Sequence, residues 1–432
     1  MWVRKRIEVS TADLASGLGY CVAPGDREAT TRQIGDQWHS ENALVCLSVR
    51  SGFDVMLHSS GWPRGSEIIM SSLTIPDMPK IVRENGMVPV GVDIDLESMT
   101  PDVDKIRARI TPRTRAIVVA HLLGGLCDIS QIVELAREHD VLVIEDCAQA
   151  YVGSSYQGDP QADVSMFSFG PIKTNTALGG AVFHVRQPEL LEQMQRAHDQ
   201  WRFQTRFSFG RRVLKYGFVK VISTRPICGG FYRFLKLFGR NHDGIASSMA
   251  RGFAGPRFFD RIRRQPSTSL LRLLDYKLGK FDPAKTDHRS QLGRQFADQA
   301  GDQVYVLGAD MVRQTFWVLA ILVEEPQPLV RKLWDSGFDA SNSCSLNAIH
   351  DDKQSVAGQI LQHIVFLPLH AEMPESEIAR MAGIIRDASP GIPVFVESSQ
   401  LDEGELAETG LQTGVVPEPH FDEASLVEPV TR

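Results

Sequence analysis

The chain has no apolar run long enough to cross a bilayer, which excludes a membrane-spanning helix. Cysteine is sparse. Cys21, Cys46, Cys127, Cys147, Cys228 and Cys344 lie far apart and form no CxxC pair. That argues against a zinc ribbon or a disulfide framework and favours reduced core thiols in a cytoplasmic protein. The opening MWVRKRIEVSTADL is basic but lacks the apolar segment of a signal peptide. Overall positive charge is also lacking: a formal net charge of -7 argues against a whole-chain nucleic-acid binder. There is no internal repeat and no low-complexity run, and no metal site is expected.

What is present has the make-up of a soluble globular enzyme, with 43% hydrophobic and 23% charged residues over 432 positions. That length suits two domains. Strand and helix signals alternate. GSEIIMSS (65–72), GMVPVGVDI (86–94), RAIVVAHLLG (115–124), VLVIED (141–146) and QTFWVLAILVEE (314–325) read as strands, with helices over 78–85, 101–109 and 128–140. Thr100 is the expected cap of the second helix and Asp128 opens the third. This rhythm predicts a mainly parallel sheet with helices on both faces. Ligands of such sheets sit at the carboxyl ends of the strands.

One stretch, 141–181, concentrates chemistry at those ends. One apolar run ends in Glu145-Asp146, the next in SFSFG, and Lys173 follows five residues after Ser168. A carboxylate, a hydroxyl and a lysine amine in this order suit pyridoxal 5'-phosphate (PLP). The amine holds the cofactor covalently, the carboxylate keeps its ring nitrogen protonated, and the phosphate needs hydroxyls and backbone N–H groups. Singly, each residue has an ordinary structural reading as a cap or a solvated surface group.

The stretch resembles the DegT/StrS-type sugar aminotransferases, a branch of the PLP-dependent fold type I enzymes. The matching blocks are TPRTRAIVVAHLLGGLCDI (111–129), VLVIEDCAQA (141–150), SMFSFGPIK (165–173) and ALGGAV (177–182), with GSEIIMSSLT (65–74), GMVPVGVDID (86–95) and FLPLHAEMPESEIARM (366–381). The resemblance implies an α/β fold type I architecture: a mainly parallel central sheet flanked by helices, with a smaller α+β C-terminal domain. It implies Lys173 as catalytic residue and cofactor anchor, and Asp146 at the ring nitrogen. It further implies Gln149 at the ring hydroxyl, Ser168 at the phosphate, and a phosphate loop at Ser51-Gly52-Phe53. The sequence departs from the family at three points. Phe53 stands for a threonine, no glutamate precedes Gly179-Gly180, and Ile75 replaces the aromatic that stacks on the ring.

The activity implied is amino transfer, with glutamate as donor, to a keto sugar normally carried on a nucleotide. Arg313 and Lys277 are candidate cations for the donor carboxylate or the sugar phosphates. A homodimer is implied as well. Two rivals remain: a PLP-dependent sugar dehydratase, which typically replaces the lysine by histidine, and a non-catalytic binding protein on the same fold. His121 is read as structural, with at most a minor part in the site.

Domains are expected at 1–38 (an N-terminal arm), 39–200 (the large domain), 201–264 (an insertion), 265–393 (the small domain) and 394–432 (an acidic disordered tail). The insertion holds fifteen Lys/Arg, two acids and thirteen aromatics. This composition suits peripheral docking on an anionic membrane at the inner face, or on a lipid-linked or nucleotide-linked substrate. It also suits a dimer interface and domain bridge, and the enrichment of aromatics and Arg at protein interfaces tilts the balance towards that second role.

Overall fold

The computed structural model describes residues 1–4, 6–38, 42–222, 257–343, 346–349 and 355–395, with positions 224 and 253 between them. Met1–Phe395 forms one compact unit. Val396–Arg432, which holds nearly all of the expected tail, lies outside the described residues.

The chain opens with α1 (Thr11–Val22) and α2 (Arg27–Gln37). It then alternates through β1 (Ala43–Cys46), α3 (Val49–Ser59), β2 (Glu67–Ser71), β3 (Leu73–Thr74), α4 (Asp77–Glu84), β4 (Val88–Val92) and α5 (Val103–Arg109). There follow β5 (Thr114–Ala120), β6 (Gly125–Leu126), α6 (Ser130–Glu138), β7 (Leu142–Asp146), β8 (Val164–Ser168), β9 (Ala181–Val185), α7 (Pro188–Asp199) and α8 (Arg206–Ile222). After the insertion come α9 (Phe258–Ile262), α10 (Thr268–Gly279), α11 (Pro283–Ala300), β10 (Tyr305–Val306), β11 (Arg313–Gln314) and β12 (Leu319–Leu322). The described chain closes with α12 (Pro326–Asp335), β13 (Asn347–Ala348), α13 (Val356–His363), β14 (Ile364–Leu367) and α14 (Glu375–Arg386).

The main sheet has the order β1-β9-β8-β7-β5-β2-β4. Its strands run parallel from β8 to β4, and β9 is antiparallel to both its neighbours. The central strands are apolar on both faces because helices cover both, as expected for a buried parallel sheet. Ile68, Met70, Ile144, Val164 and Met166 face α3, α4 and α7. Ile69, Ile117, Val119 and Val143 face α5 and α6. A second sheet, β10-β12-β14, packs with α11, α12 and α14 around Leu292, Phe296, Leu333, Met381 and Ile385.

Four local expectations are revised. Helix α5 is capped by Asp102, whose carboxylate accepts from the N–H groups of Asp104 and Lys105; the Thr100 hydroxyl pairs with Ser98 instead. Asp128 lies two residues before α6 and accepts from the Ser130 N–H. The apolar run 314–325 is two short strands, not one, because Phe316 takes a left-handed conformation (φ 44). Helix α10, expected with the small domain, packs on α1, α2 and α8 through Leu270, Leu271, Leu273 and Leu274. Its apolar face is wide enough to need a helical partner, and the N-terminal helices supply it.

Candidate active site

Side chains alternate across a strand, so neighbouring acids go to opposite faces. Glu145 and Asp146 follow that rule. Asp146 shares its face with Ile144 and reaches the carboxyl end of β7 beside β5 and β8. Ser168 shares its face with Val164 and Met166 and ends β8, next to β7. Both keep some exposure, unlike the wholly buried residues just before them.

Lys173 follows in the turn after β8, where its N–H donates to the Gly170 carbonyl (3.1 Å). Gly170 lies beside both side chains. A Cβ there would lie 3.6 Å from Ser168 Oγ and 3.9 Å from Lys173 Cγ. Burial lowers the Lys173 pKa to about 8; the Asp146 carboxylate opposes that shift and the Arg50 charge adds to it. Burial likewise raises Asp146, against the Ala148 N–H and the charge of Lys173. The lysine and the carboxylate therefore sense each other across one cleft.

Two residues that the sequence reading missed complete this wall. The Lys173 ammonium lies over the Trp317 ring, 4.2 Å from its centroid, and the indole N–H donates to the Ile172 carbonyl (2.9 Å). Trp317 comes from the kink between β11 and β12. It can approach because position 124 is glycine with φ 99: a Cβ there would come within 2.5 Å of Thr315 Oγ1 and the Trp317 nitrogen. Arg50, on the first turn of α3, donates from Nε to Asp77 (2.5 Å) and bears electrostatically on both Lys173 and Asp146. An aromatic in an apolar run reads as core, so Trp317 carried no signal. Arg50 carried a weak one as a cation at a helix start.

The expected phosphate loop is revised. Helix α3 is capped by Ser48, so its first turn is Val49-Arg50-Ser51. The Ser51 N–H donates to Ser48 Oγ (3.2 Å) and the Gly52 N–H to the Ser48 carbonyl (3.1 Å). Ser51 is wholly buried, with its hydroxyl on Ser48 Oγ (2.9 Å). Gly52 is there for packing, since a Cβ would meet the Phe183 ring at 2.1 Å. Phe53 is in the core between helix and sheet. Helix α3 thus starts at Ser48-Val49-Arg50, three residues upstream of Ser51-Gly52-Phe53.

Gln149 accepts from the Leu123 N–H through Oε1 (3.0 Å), which leaves its NH2 group as a donor. Lys277 pairs with Asp13 (3.0 Å), and Arg313 lies over the Tyr156 ring (5.9 Å). His121 is buried behind the cleft. Cys127 N–H donates to its Nδ1 (3.1 Å), so Nε2 carries the proton aimed at Glu145 Oε1 (2.7 Å).

Glu145 also accepts from the Tyr156 hydroxyl, Ser165 Oγ (2.7 Å) and the Asp159 N–H (2.9 Å). Burial would push its carboxyl up, but the His121, Tyr156 and Ser165 donors outweigh that and hold it at about 2. This network braces the strand that presents Asp146. Glu145→Gln puts N–H donors among donors and should cost about 3 kcal/mol of stability, measured by chemical denaturation. The folded value lies below the ordinary 4.5, so the stabilisation is complete above that pH and is lost as pH falls towards 2. The variant should lack this acid-dependent loss; an unchanged denaturation curve would contradict the assignment.

Residues 27–210 match the model of the DegT/DnrJ/EryC1/StrS aminotransferase family. The chain carries a domain of this family. Within its length the chain is similar to GDP-perosamine synthase of Caulobacter vibrioides, 36% identical over 38% of this chain and 44% of that protein. It is also similar to L-glutamine:2-deoxy-scyllo-inosose aminotransferase of Streptomyces kanamyceticus, 30% identical over 38% of this chain and 39% of that protein. The matched stretches thus span less than half the length of these relatives.

Solved structures extend the likeness beyond the family domain. The aminotransferase TlmJ from Streptoalloteichus hindustanus has a TM-score of 0.66 at 18% identity, covering 90% of this chain and 98% of that one. Helicobacter pylori PseC, an aminotransferase involved in the biosynthesis of pseudoaminic acid, gives 0.65 at 15%, covering 90% and 99%. At such identities the likeness concerns the fold alone: a mostly parallel sheet between helices, as the sequence blocks led one to expect.

Proposed function

We propose that the protein is a PLP-dependent aminotransferase that moves an amino group from glutamate or glutamine to a keto sugar carried on a nucleotide. One arrangement carries this reading: an acid at the end of β7 and a lysine just after the adjacent β8, held under the Trp317 ring, act on each other electrostatically. The related proteins support the substrate class, since one is a GDP-perosamine synthase and another an L-glutamine:2-deoxy-scyllo-inosose aminotransferase. The family domain argues against the binding-protein rival, and a lysine at 173 in place of histidine argues against the dehydratase.

The residues fit the cofactor. Ser168 and Lys173 both lie beside Gly170, and the donors there, the Ser168 hydroxyl and the Gln149 NH2 group, suit a phosphate and a ring hydroxyl. Lys173 would hold PLP covalently, Asp146 would face its ring nitrogen, and Gln149 would offer its NH2 to the ring hydroxyl. Ser168, Arg50 and the first-turn N–H groups of α3 would neutralise the phosphate. The bound group supplies an electron sink for carbanion chemistry.

The chain's own residues do the rest. Lys173 Nζ, with a pKa near working pH, takes a proton from the donor's α-carbon and returns it to the acceptor's reacting carbon. Asp146, facing the ring nitrogen, would stabilise the charge that develops in the transition state. Trp317 covers the amine and excludes water from that side. A homodimer, with a cleft completed by the second chain, belongs to the same proposal.

The test is a panel of GDP- and TDP-linked keto sugars offered with glutamate or glutamine to the purified, PLP-treated protein. Formation of an amino sugar from at least one pair, with the matching keto acid released in equal amount, is the expected result. A protein that stays colourless with PLP and turns over none of the panel would refute the proposal.

A further inference from the structure

Helix α8 has two apolar faces, and only one is used inside the molecule. Phe209, Val213 and Tyr216 are buried against α1 and α10, and Lys220 Nζ donates to the Val9 carbonyl (2.6 Å). On the opposite side Phe207 is 73% exposed, Leu214 61%, Phe218 64% and Val221 55%. At 3.6 residues per turn these positions (i, i+7, i+11 and i+14) fall on one stripe. Arg211 and Lys215, both exposed, run along its edge, and the Arg211 guanidinium lies 5.9 Å from the Phe207 ring centre. Single exposed apolar residues are common and need no explanation; a continuous stripe of four beside a row of cations marks an interaction surface.

Charge selects the occupant. Between Trp201 and Ile222 there are six Lys/Arg and no acid. A second copy docked symmetrically on this face would set Arg211 and Lys215 against their own kind. The chain's own 223–256 segment has five Lys/Arg and one acid, so it too is like-charged. An anionic bilayer surface matches both features, taking the apolar stripe into the headgroup boundary and the cations among the phosphates. The helix is too short and too charged to cross the membrane, and no described helix is long and apolar enough to do so.

We propose that α8 docks this protein on anionic lipid bilayers through the Phe207-Leu214-Phe218-Val221 stripe and its Arg211/Lys215 edge, independently of the chemistry in the cleft. The docked protein would work beside a membrane without being anchored in it.

The full chain is sedimented with vesicles of phosphatidylcholine alone or with about a third phosphatidylglycerol. Wild-type protein should pellet with the anionic vesicles at low salt, stay in solution with the neutral ones, and be released by high salt. Arg211→Glu/Lys215→Glu should lower the partition coefficient at least about tenfold, and Phe207→Ser/Phe218→Ser should lower it too. All four side chains are exposed, so melting curves and PLP absorbance should not change. No pelleting at low salt, equal pelleting with neutral vesicles, or wild-type pelleting by the charge-reversed variant would overturn the proposal. So would a Phe207→Ser/Phe218→Ser protein that still pellets but loses a subunit in light scattering, which would give the stripe to a second copy. The wild-type dependence on lipid charge and salt needs no variant and decides the matter even if a substitution proves unstable.

Discussion

Lys173→Ala should lower the amino-transfer rate by about 10⁴-fold or more, because one side chain both anchors the cofactor and carries the proton. The variant should also lose the adduct that borohydride fixes in the wild-type protein, read by mass spectrometry at residue 173. Lys173→Arg keeps a cation beside Trp317 but no nucleophilic amine, so it should fail equally; activity in the arginine variant would show that charge alone suffices. A second readout needs no turnover. In the cofactor-free protein the Lys173 pKa is lowered from the ordinary 10.5 to about 8 by burial, and the neutral amine is the nucleophile. Acylation of Lys173 should therefore rise through pH 8, where an ordinary lysine is neutral in fewer than about one molecule in a hundred. A midpoint near 10.5 would remove the physical basis for the assignment.

Asp146→Asn should reduce turnover by about 10²- to 10³-fold, the usual loss when one preorganised electrostatic partner of a transition state is removed. The substitution preserves shape, so the borohydride-fixed adduct at Lys173 should still form. The acylation profile separates an electrostatic role from a structural one. Asp146 holds the Lys173 pKa up against burial, so its neutral replacement should move the midpoint below pH 8. A midpoint that stays put, with turnover unchanged, would mean that the carboxylate does not face the cleft.

The two predictions concern neighbours of unlike origin. Asp146 was legible because the apolar run before it marks a strand, and a strand end is where a parallel sheet offers a site. Lys173 was legible by its place after the next strand. Glu145 stands beside Asp146 at the same strand end. The pleat sends it to the other face, where four donors make it a brace for the strand. Ser48 and Ser51 are equally good caps on paper, and the structure starts α3 after Ser48. The packing of Gly52 on Phe183 fixes which of them begins the helix.

The order of strands and helices, the acid-hydroxyl-lysine series and the family domain follow from the sequence by itself. They rest on periods of two and 3.6 residues and on short motifs, which neighbouring residues set among themselves. The tertiary structure alone decided that Trp317 covers Lys173, that Arg50 borders the cleft, that α10 joins the N-terminal helices, and which stripe of α8 stays uncovered. Each of these joins segments far apart in the chain, and such contacts depend on packing of the whole, which local patterns do not encode.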